Sequence, residues 1–206
     1  KILVEPLTNY LVSRVQKDFN DNNSYVGGIF TATNRRLEEH LNYLRRDAYT
    51  GGLDFRHNWK NRKYFVEGNF VLSHVLGSKE AITATQTSLT HLFNRVDASH
   101  VSVDPDRTSL TGTGGKLELG KASTGHWRYS LGYVWRSPEL ELNDIGFLRQ
   151  ADDMKQYLNV NYQTLKPFGN FRRISANFNQ FTTYDFEGNY NRIQYRVSGN
   201  AQFQNN

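Results

Sequence analysis

The densest group of chemically capable side chains lies in one stretch, SPELELNDIGFLRQADD, which holds five carboxylates. Carboxylate oxygens are ligands that Ca²⁺ prefers, and paired carboxyl groups carry out glycoside hydrolysis. The spacing matches no EF-hand loop, however. The simpler interpretation is a turn at residues 143–146, with Ile145, Phe147 and Leu148 anchoring the stretch. The five carboxylates are Glu139, Glu141, Asp144, Asp152 and Asp153.

Other catalytic or metal-binding motifs do not occur in the sequence. His91, His100 and His126 are too scattered for a zinc motif, no HExxH is present, and we interpret them as surface histidines. There is no GxSxG elbow, and GTGGK lacks the full spacing of a phosphate loop. The sequence therefore predicts no enzymatic activity, no cofactor and no metal.

A row of charged and amide side chains is the strongest functional candidate. These residues alternate with large apolar ones, so they would project into a barrel interior if the apolar face meets lipid. Such a row lines a pore, or it fills a narrow barrel with paired charges; the excess of Arg over acidic residues allows an anion- or glycan-selective channel. The row comprises Asp54, Arg56, Glu67, Asn69, Arg128, Arg136, Asn159, Asn161, Arg173, Asn177, Asn179 and Arg196.

Positioning such a row requires two-sided strands, and nine stretches of about ten residues show the alternation of period two that strands require. Four of them carry this pattern well, and in 127–136 and 49–59 aromatic residues bracket the apolar centre, as in the girdles of membrane barrels. The glycines of GTGGKLELG indicate a bulge or close packing. The stretches are 9–19, 25–34, 49–59, 64–76, 108–121, 127–136, 154–164, 171–182 and 193–203. The predicted lipid-facing or girdle residues are Tyr49, Phe55, Trp59, Tyr64, Phe70, Trp127, Tyr129, Tyr133, Trp135, Tyr195 and Phe203.

The connections between these strands alternate strictly between short and long. Outer-membrane barrels have short periplasmic turns and longer extracellular loops, whereas a Greek-key sandwich has no reason to alternate in this way. The leucines of RRLEEHLNYLRRD have the spacing of a short helical turn within one long loop. The predicted periplasmic turns lie near 20–24, 60–63, 122–126 and 165–170, and the predicted extracellular loops are 35–47, 77–107, 137–153 and 183–192.

Composition is compatible with this pattern. Hydrophobic residues make up 37% and aromatic residues 14% of the 206 residues, and no apolar run is long enough for a transmembrane helix. Cysteine is absent, and the net charge of +5 comes without a basic block, which argues against nucleic acid. The sequence therefore predicts an all-β, antiparallel up-and-down transmembrane β-barrel. Because nine strands are an odd number, residues 1–206 are expected to be part of a larger barrel domain.

Several stretches carry a resemblance to a known domain. NYLVSRVQKDF, VGGIFTATNR, DAYTGGLDFRHNWKNRKY, DPDRTSLTGTGGKLELGK and WRYSLGYVWRSPELELNDIGFLRQADD cover most of residues 9–153. They resemble the C-terminal barrel domain, of unassigned function, of outer-membrane proteins that carry an N-terminal family 9-like carbohydrate-binding module. The resemblance implies a Gram-negative outer membrane, a larger parent chain and a link to glycans, and it supplies no catalytic residues.

Three functions are compatible with these observations. The first is an outer-membrane pore or transport component for a polar solute, with a link to glycans. The second is a membrane anchor or assembly partner whose lumen is filled by side chains. The third is a soluble all-β domain that binds or hydrolyses glycans. The expected partners are outer-membrane lipid and lipopolysaccharide, polysaccharide or oligosaccharide, and other envelope proteins.

Overall fold

The computed structural model describes residues 4–205 as a single antiparallel sheet of nine strands, each paired with the next along the chain. The predicted all-β up-and-down class and the nine predicted strands are confirmed. The strands are β1 (Leu7–Phe19), β2 (Ser24–Arg36), β3 (Arg45–Trp59), β4 (Tyr64–Gly77), β5 (Ser109–Lys121), β6 (Trp127–Arg136), β7 (Asp153–Gln163), β8 (Phe171–Tyr184) and β9 (Tyr190–Phe203).

The nine strands do not close on themselves into a barrel, and the sheet is open. Within residues 4–205, β1 pairs only with β2 and β9 pairs only with β8. A closed barrel requires hydrogen bonds between its first and last strands, because only closure removes the free edges of a sheet. The structure therefore presents two free strand edges.

The register gives the sheet one apolar and one polar face. Residues paired across neighbouring strands point to the same side. Phe55 of β3, Leu117 of β5 and Tyr133 of β6 belong to one row of paired residues across the sheet and therefore lie on the same side. The next row of paired residues, which we call a rung, points to the other side of the sheet. In this rung Arg56 pairs with Glu67, and Glu67 pairs with Glu118. We call these sides the apolar face and the polar face.

The four short connections lie together at one end of the strands, which we call the short-turn end. Two of them have the same backbone, with three consecutive residues at positive φ: Asn20, Asp21 and Asn22 in the first, and residues 60–62 in the second. Asn and Asp tolerate this left-handed conformation better than most side chains. The turns are closed by backbone hydrogen bonds of 2.9 Å (Asn23 N to Asn20 O) and 3.1 Å (Lys63 N to Lys60 O).

The long connections lie at the opposite end, the long-loop end. The connection after β4 contains a helix, α1 (Lys79–Thr87), whose N-cap Ser78 accepts a hydrogen bond from Ala81 N at 3.0 Å. The connection after β2 contains a single 3₁₀ turn, Glu39–Leu41, where the leucine spacing predicted a helical turn. Of the described residues, none belongs to a helix long and apolar enough to cross a membrane.

Two of the long connections fold back over the polar face. They bury the part of this face nearest the long-loop end, which we call its upper part. Ile82 of α1 and Phe93 pack against Val75 and Leu110, which project from the polar face of β4 and β5. A second cluster joins Leu140 to Leu148 and Ala151 over Val71. The small core of the molecule therefore lies between the sheet and its own loops.

Close packing of the second cluster depends on glycines, as the GTGGKLELG pattern predicted. A Cβ on Gly112 would lie 2.1 Å from the backbone nitrogen of Leu140, so only glycine lets the loop approach this closely. The predicted anchoring of the loop is right only for Leu148, which is buried. Ile145 is exposed and Phe147 is 83% exposed, because the turn at residues 143–146 directs them away from the sheet.

Candidate functional site

The two faces separate the predicted site residues completely. The eleven predicted lipid-facing or girdle residues lie on the apolar face, and all predicted lumen-lining residues lie on the polar face. This separation follows from the period of a strand, since shifting any register by one residue would move its whole set to the other face. The polar face is therefore the candidate site.

Across the centre of the polar face runs a chain of charged contacts. Arg56 donates to Glu67 at 3.0 Å, and Lys116 lies 2.9 Å from Glu67 and 2.5 Å from Glu118. The Tyr157 hydroxyl continues the chain by donating to Glu118 at 2.7 Å. Strands β3, β4, β5 and β7 supply these side chains. Strand β6 supplies none, because its Gly132 leaves the space through which Tyr157 reaches from β7 across β6 to β5. The chain stiffens the face and neutralises much of its charge.

On either side of this chain the polar face carries further charged and amide groups. Towards β1, Arg14 lies 3.0 Å from Asp54, at the margin of a cleft of ≈ 390 Å³ that reaches Lys116. Towards β9, Asn161 donates to Asn177 at 2.6 Å, and the same rung contains Arg128. Both regions can hydrogen-bond a polar solute, since amides and guanidinium groups offer donors in several directions. Asn69, Asn159, Asn179, Arg173 and Arg196 lie on the same face.

Above the polar face, a first loop network is built around buried charges. The Glu141 carboxylate, which is almost fully buried, lies 3.1 Å from His91 Nε2 and 3.5 Å from Arg45. Asp144 accepts from Arg35 at 2.7 Å and from Arg45 at 2.9 Å. Burial would raise the pKa of Glu141, but His91, Arg45 and the Asn143 amide together lower it. The network ties the loop after β6 to β2, β3 and the loop after β4.

A second network joins three long loops through the buried carboxylate of Asp152. This carboxylate accepts from Arg95 and lies 2.9 Å from His100 Nε2. The other ring nitrogen of His100 lies 3.3 Å from Glu187, which also accepts from Ser99. Burial would lower the pKa of His100, but the hydrogen bond and charge of Asp152, with help from Glu187, raise it above its ordinary value.

The second network also contains the only group of three potential metal ligands found among residues 4–205. His100, Asp185 and Glu187 each offer one atom within 4.8 Å of the others. However, Asp185 already accepts from the backbone amides of Glu187 and Asn189, and the Arg95 guanidinium lies 3.8 Å from it. A guanidinium in this position supplies the positive charge that a metal ion would bring. The group is therefore best described as an ion-pair network.

The histidine predictions need correction. His91 is buried, not a surface residue, because both of its ring nitrogens face acceptors within the loop packing: the Pro138 carbonyl at 2.7 Å and Glu141. His100 is largely buried between two carboxylates. His126 is exposed as predicted, and lies at the short-turn end beside the Gln163 carbonyl.

The carboxylates that suggested calcium binding or hydrolysis are each paired with a cation. Arg136 lies 2.9 Å from Asp153, and Arg107 lies 4.0 Å from Glu139, while Glu141, Asp144 and Asp152 belong to the two networks above. A general acid for glycoside hydrolysis needs a raised pKa. Glu141, whose pKa is lowered, does not meet this requirement.

The ion pairs of these networks were not predicted from the sequence. Arg35 and Arg45 lie in the RRLEEHLNYLRRD stretch, whose leucine spacing predicted only a helical turn. Arg95 and Asp185 lie in segments without periodicity, and the partners of all four residues are far away along the chain. Two charged stretches, RRLEEHLNYLRRD and SPELELNDIGFLRQADD, pointed to this end of the molecule. Pairing between loops is a tertiary property that local sequence patterns do not encode.

Comparison with known proteins gives a match to a protein family. A family model described as "Domain of unknown function (DUF5916)" matches residues 1–206. No curated protein and no solved structure matches the chain.

Proposed function

The chain belongs to this family of unknown function, DUF5916, and from its two-faced sheet we propose that it forms part of the wall of an outer-membrane β-barrel. In this proposal the apolar face meets lipid and the polar face lines the interior. The barrel serves as a pore or transport component for a polar solute, with oligosaccharides as the candidate class. Localisation in the outer membrane, with lipopolysaccharide as a neighbour, is part of the same proposal.

The observation that carries the proposal is the exposed apolar face. Large apolar side chains are exposed on it from β1 to β9; Leu53 is 64% and Val197 is 78% exposed. Nine strands at a spacing of about 4.8 Å make a face roughly 40 Å wide, far larger than the apolar patches that soluble monomers expose. The strands contain 10 to 15 residues, which exceeds or matches the roughly 9–11 that cross a bilayer.

The free edges of β1 and β9 support closure by further strands. In the hydrocarbon region every backbone N–H and C=O must find a partner, because no water is available there. We propose that strands from elsewhere in the natural protein, or from a second copy, pair with both edges. In lipid the open sheet alone would leave two rows of unsatisfied groups at several kcal/mol each.

A second candidate function, a membrane anchor with a filled lumen, is favoured by one specific feature. The loops after β4 and β6 bury the upper polar face, and the charged chain from Arg56 to Tyr157 occupies its centre. Such a lumen would hold a protein in the membrane without conducting. The polar face near Arg128 and Arg196 is not covered by these clusters, which favours a constricted pore.

Two measurements on the full-length natural protein test the proposal. The first is its behaviour without detergent. We expect aggregation or precipitation in buffer and a monodisperse species in detergent micelles, because the apolar face needs an apolar solvent. A monodisperse species in buffer alone would overturn the membrane assignment and favour the third, soluble type of domain.

The second measurement is conductance in a planar bilayer. A constricted polar lumen predicts discrete current steps, and the excess of Arg predicts a preference for anions. Gly112→Ala, which forces the loop after β6 away from the polar face, should increase the step size. Stable insertion without any steps, in both the wild-type protein and this variant, would remove the pore and leave the anchor.

A further inference from the structure

The positive charge of the molecule is concentrated at the short-turn end. The four short connections with their flanking residues, 19–24, 59–64, 121–127 and 163–173, contain seven Lys or Arg and a single acid, Asp21. That leaves 18 of the 25 basic residues against 19 of the 20 acidic ones for the rest of the chain. The whole net charge therefore lies at this end. The basic residues, which we call the basic collar, are Lys60, Arg62, Lys63, Lys121, Lys166, Arg172 and Arg173.

Most of the basic collar is exposed, and the acids available to it are few. Lys60, Arg62 and Lys166 are exposed, and none of the seven forms an ion pair within residues 4–205. At the long-loop end, by contrast, basic side chains such as Arg35 and Arg45 are held by carboxylates. The collar thus has unused positive charge that an external anion can neutralise.

The second short turn carries basic residues at backbone positions where smaller polar residues are more easily accommodated. The first and second short turns share the same left-handed backbone, with φ between 50° and 60° at three consecutive residues. The first turn uses Asn, Asp and Asn, which suit that conformation, whereas the second uses Lys60, Asn61 and Arg62. Arg62 gains a hydrogen bond to Asn23 of the first turn, whereas Lys60 breaks the local rule without such a bond to any of residues 4–205, which is typical of functional sites.

Aromatic side chains place the collar at the edge of the apolar face. The ammonium groups of Lys60 and Lys63 lie 5.9 Å and 5.5 Å from the ring of Tyr64, and Trp59 stacks on the same ring. Trp127 is exposed on the same edge. Lysines with apolar stems beside an aromatic belt are typical of the boundary between hydrocarbon and headgroups.

We propose that the short-turn end binds the phosphate headgroups of anionic phospholipids in the membrane leaflet that it faces. This inference rests on the proposed function, because it requires the apolar face to contact acyl chains. Each Lys or Arg near an anionic membrane surface strengthens binding by about 1 kcal/mol, or roughly fivefold. A collar of seven charges therefore gives a selective contact even if only a few of them meet a phosphate.

Two tryptophans of one strand allow a sharp test. Trp127 lies at the short-turn end of β6 and Trp135 at its long-loop end, both on the apolar face. Full-length protein in which every other tryptophan is replaced by Phe is reconstituted in phosphatidylcholine vesicles. Fluorescence quenching by brominated phosphatidylglycerol is then compared with quenching by brominated phosphatidylcholine at each tryptophan.

At low salt we expect brominated phosphatidylglycerol to quench Trp127 at least fivefold more strongly than brominated phosphatidylcholine. This quenching ratio should fall at about 0.5 M NaCl, because salt at this concentration screens exposed charges over a few ångströms. Trp135 should show a ratio near one. The triple variant Lys60→Gln, Lys63→Gln, Lys121→Gln should bring the ratio at Trp127 close to one. Arg62 is kept in this variant, because it donates to Asn23 of the neighbouring turn.

The matched control neutralises three exposed basic residues at the opposite end, Arg36→Gln, Lys79→Gln and Arg149→Gln, and should keep the preference at Trp127. Equal quenching by both lipids at Trp127, or a preference that survives the collar variant, would overturn the inference while leaving the proposed function intact. If neither lipid quenches either tryptophan, the apolar face does not meet lipid, and the proposed function fails with it.

Discussion

His100 makes the stability of the second loop network depend on pH. Its ring bridges Asp152, in the loop after β6, and Glu187, in the loop after β8, while Arg95 and Asp185 complete the charges around it. Because the folded-state pKa of His100 is raised, its contribution is fully present below the unfolded value of about 6.5 and is lost as the pH rises through the folded pKa. Glu141 and Glu187, with lowered pKa values, contribute above about 4.5 and lose their effect in stronger acid.

Raising the pH above 6.5 should therefore loosen the loops that His100 connects. We expect faster amide hydrogen exchange in residues 93–103 and 183–189, after correction for the intrinsic effect of pH, while the strands are unaffected. His100→Gln should remove this pH dependence and cost about 1–3 kcal/mol of local stability, the usual loss for a charge-assisted hydrogen bond. The control His126→Gln alters a histidine outside the network and should keep the pH dependence. Equal pH dependence in both variants would contradict the assignment.

At the scale of elements, the fit between β5 and the loop after β6 is set by a single missing methyl group. Gly112→Ala would place a Cβ 2.1 Å from Leu140 N and 2.4 Å from Leu140 Cα, which are backbone atoms that cannot rotate away. We expect the loop to lift from the sheet, at a cost of about 1–3 kcal/mol. Limited proteolysis should then cut within residues 137–153. Gly51→Ala meets no atom within 4 Å and should leave both stability and proteolysis nearly unchanged.

The strands themselves were predictable, and the loops were not. The alternation in residues 127–136 recurs in the structure with the same bounds for β6, because a two-sided strand imposes period two on its own sequence. Helix α1 had no comparable signal, since its nine residues are mostly Thr, Ala and polar side chains. The burial of His91 and Glu141 depends on contacts about 50 residues apart along the chain, which no local pattern can predict. Closure into a barrel by further strands stays a prediction, because alternation fixes the faces of a sheet and not its edges.

At the scale of the whole molecule, the membrane proposal requires that a charged substitution be costly on the apolar face and tolerated on the polar face. Leu131 and Ser130 are neighbours in the middle of β6, but Leu131 lies on the apolar face, paired with Leu119 and Leu158, and Ser130 lies on the polar face. In water both positions would tolerate arginine, since Leu131 is already 44% exposed. In a bilayer only Ser130 would do so.

Leu131→Arg should therefore destabilise the full-length protein in lipid vesicles by about 2–4 kcal/mol, the cost of a basic side chain near the midplane of a membrane barrel. Ser130→Arg, whose side chain would enter the polar interior near Glu118, should cost less than about 1 kcal/mol. Denaturant unfolding in vesicles, followed by tryptophan fluorescence, measures the difference. If both variants unfold at the same denaturant concentration as the wild-type protein, the apolar face is not in contact with lipid, because a charge in hydrocarbon cannot be free of cost.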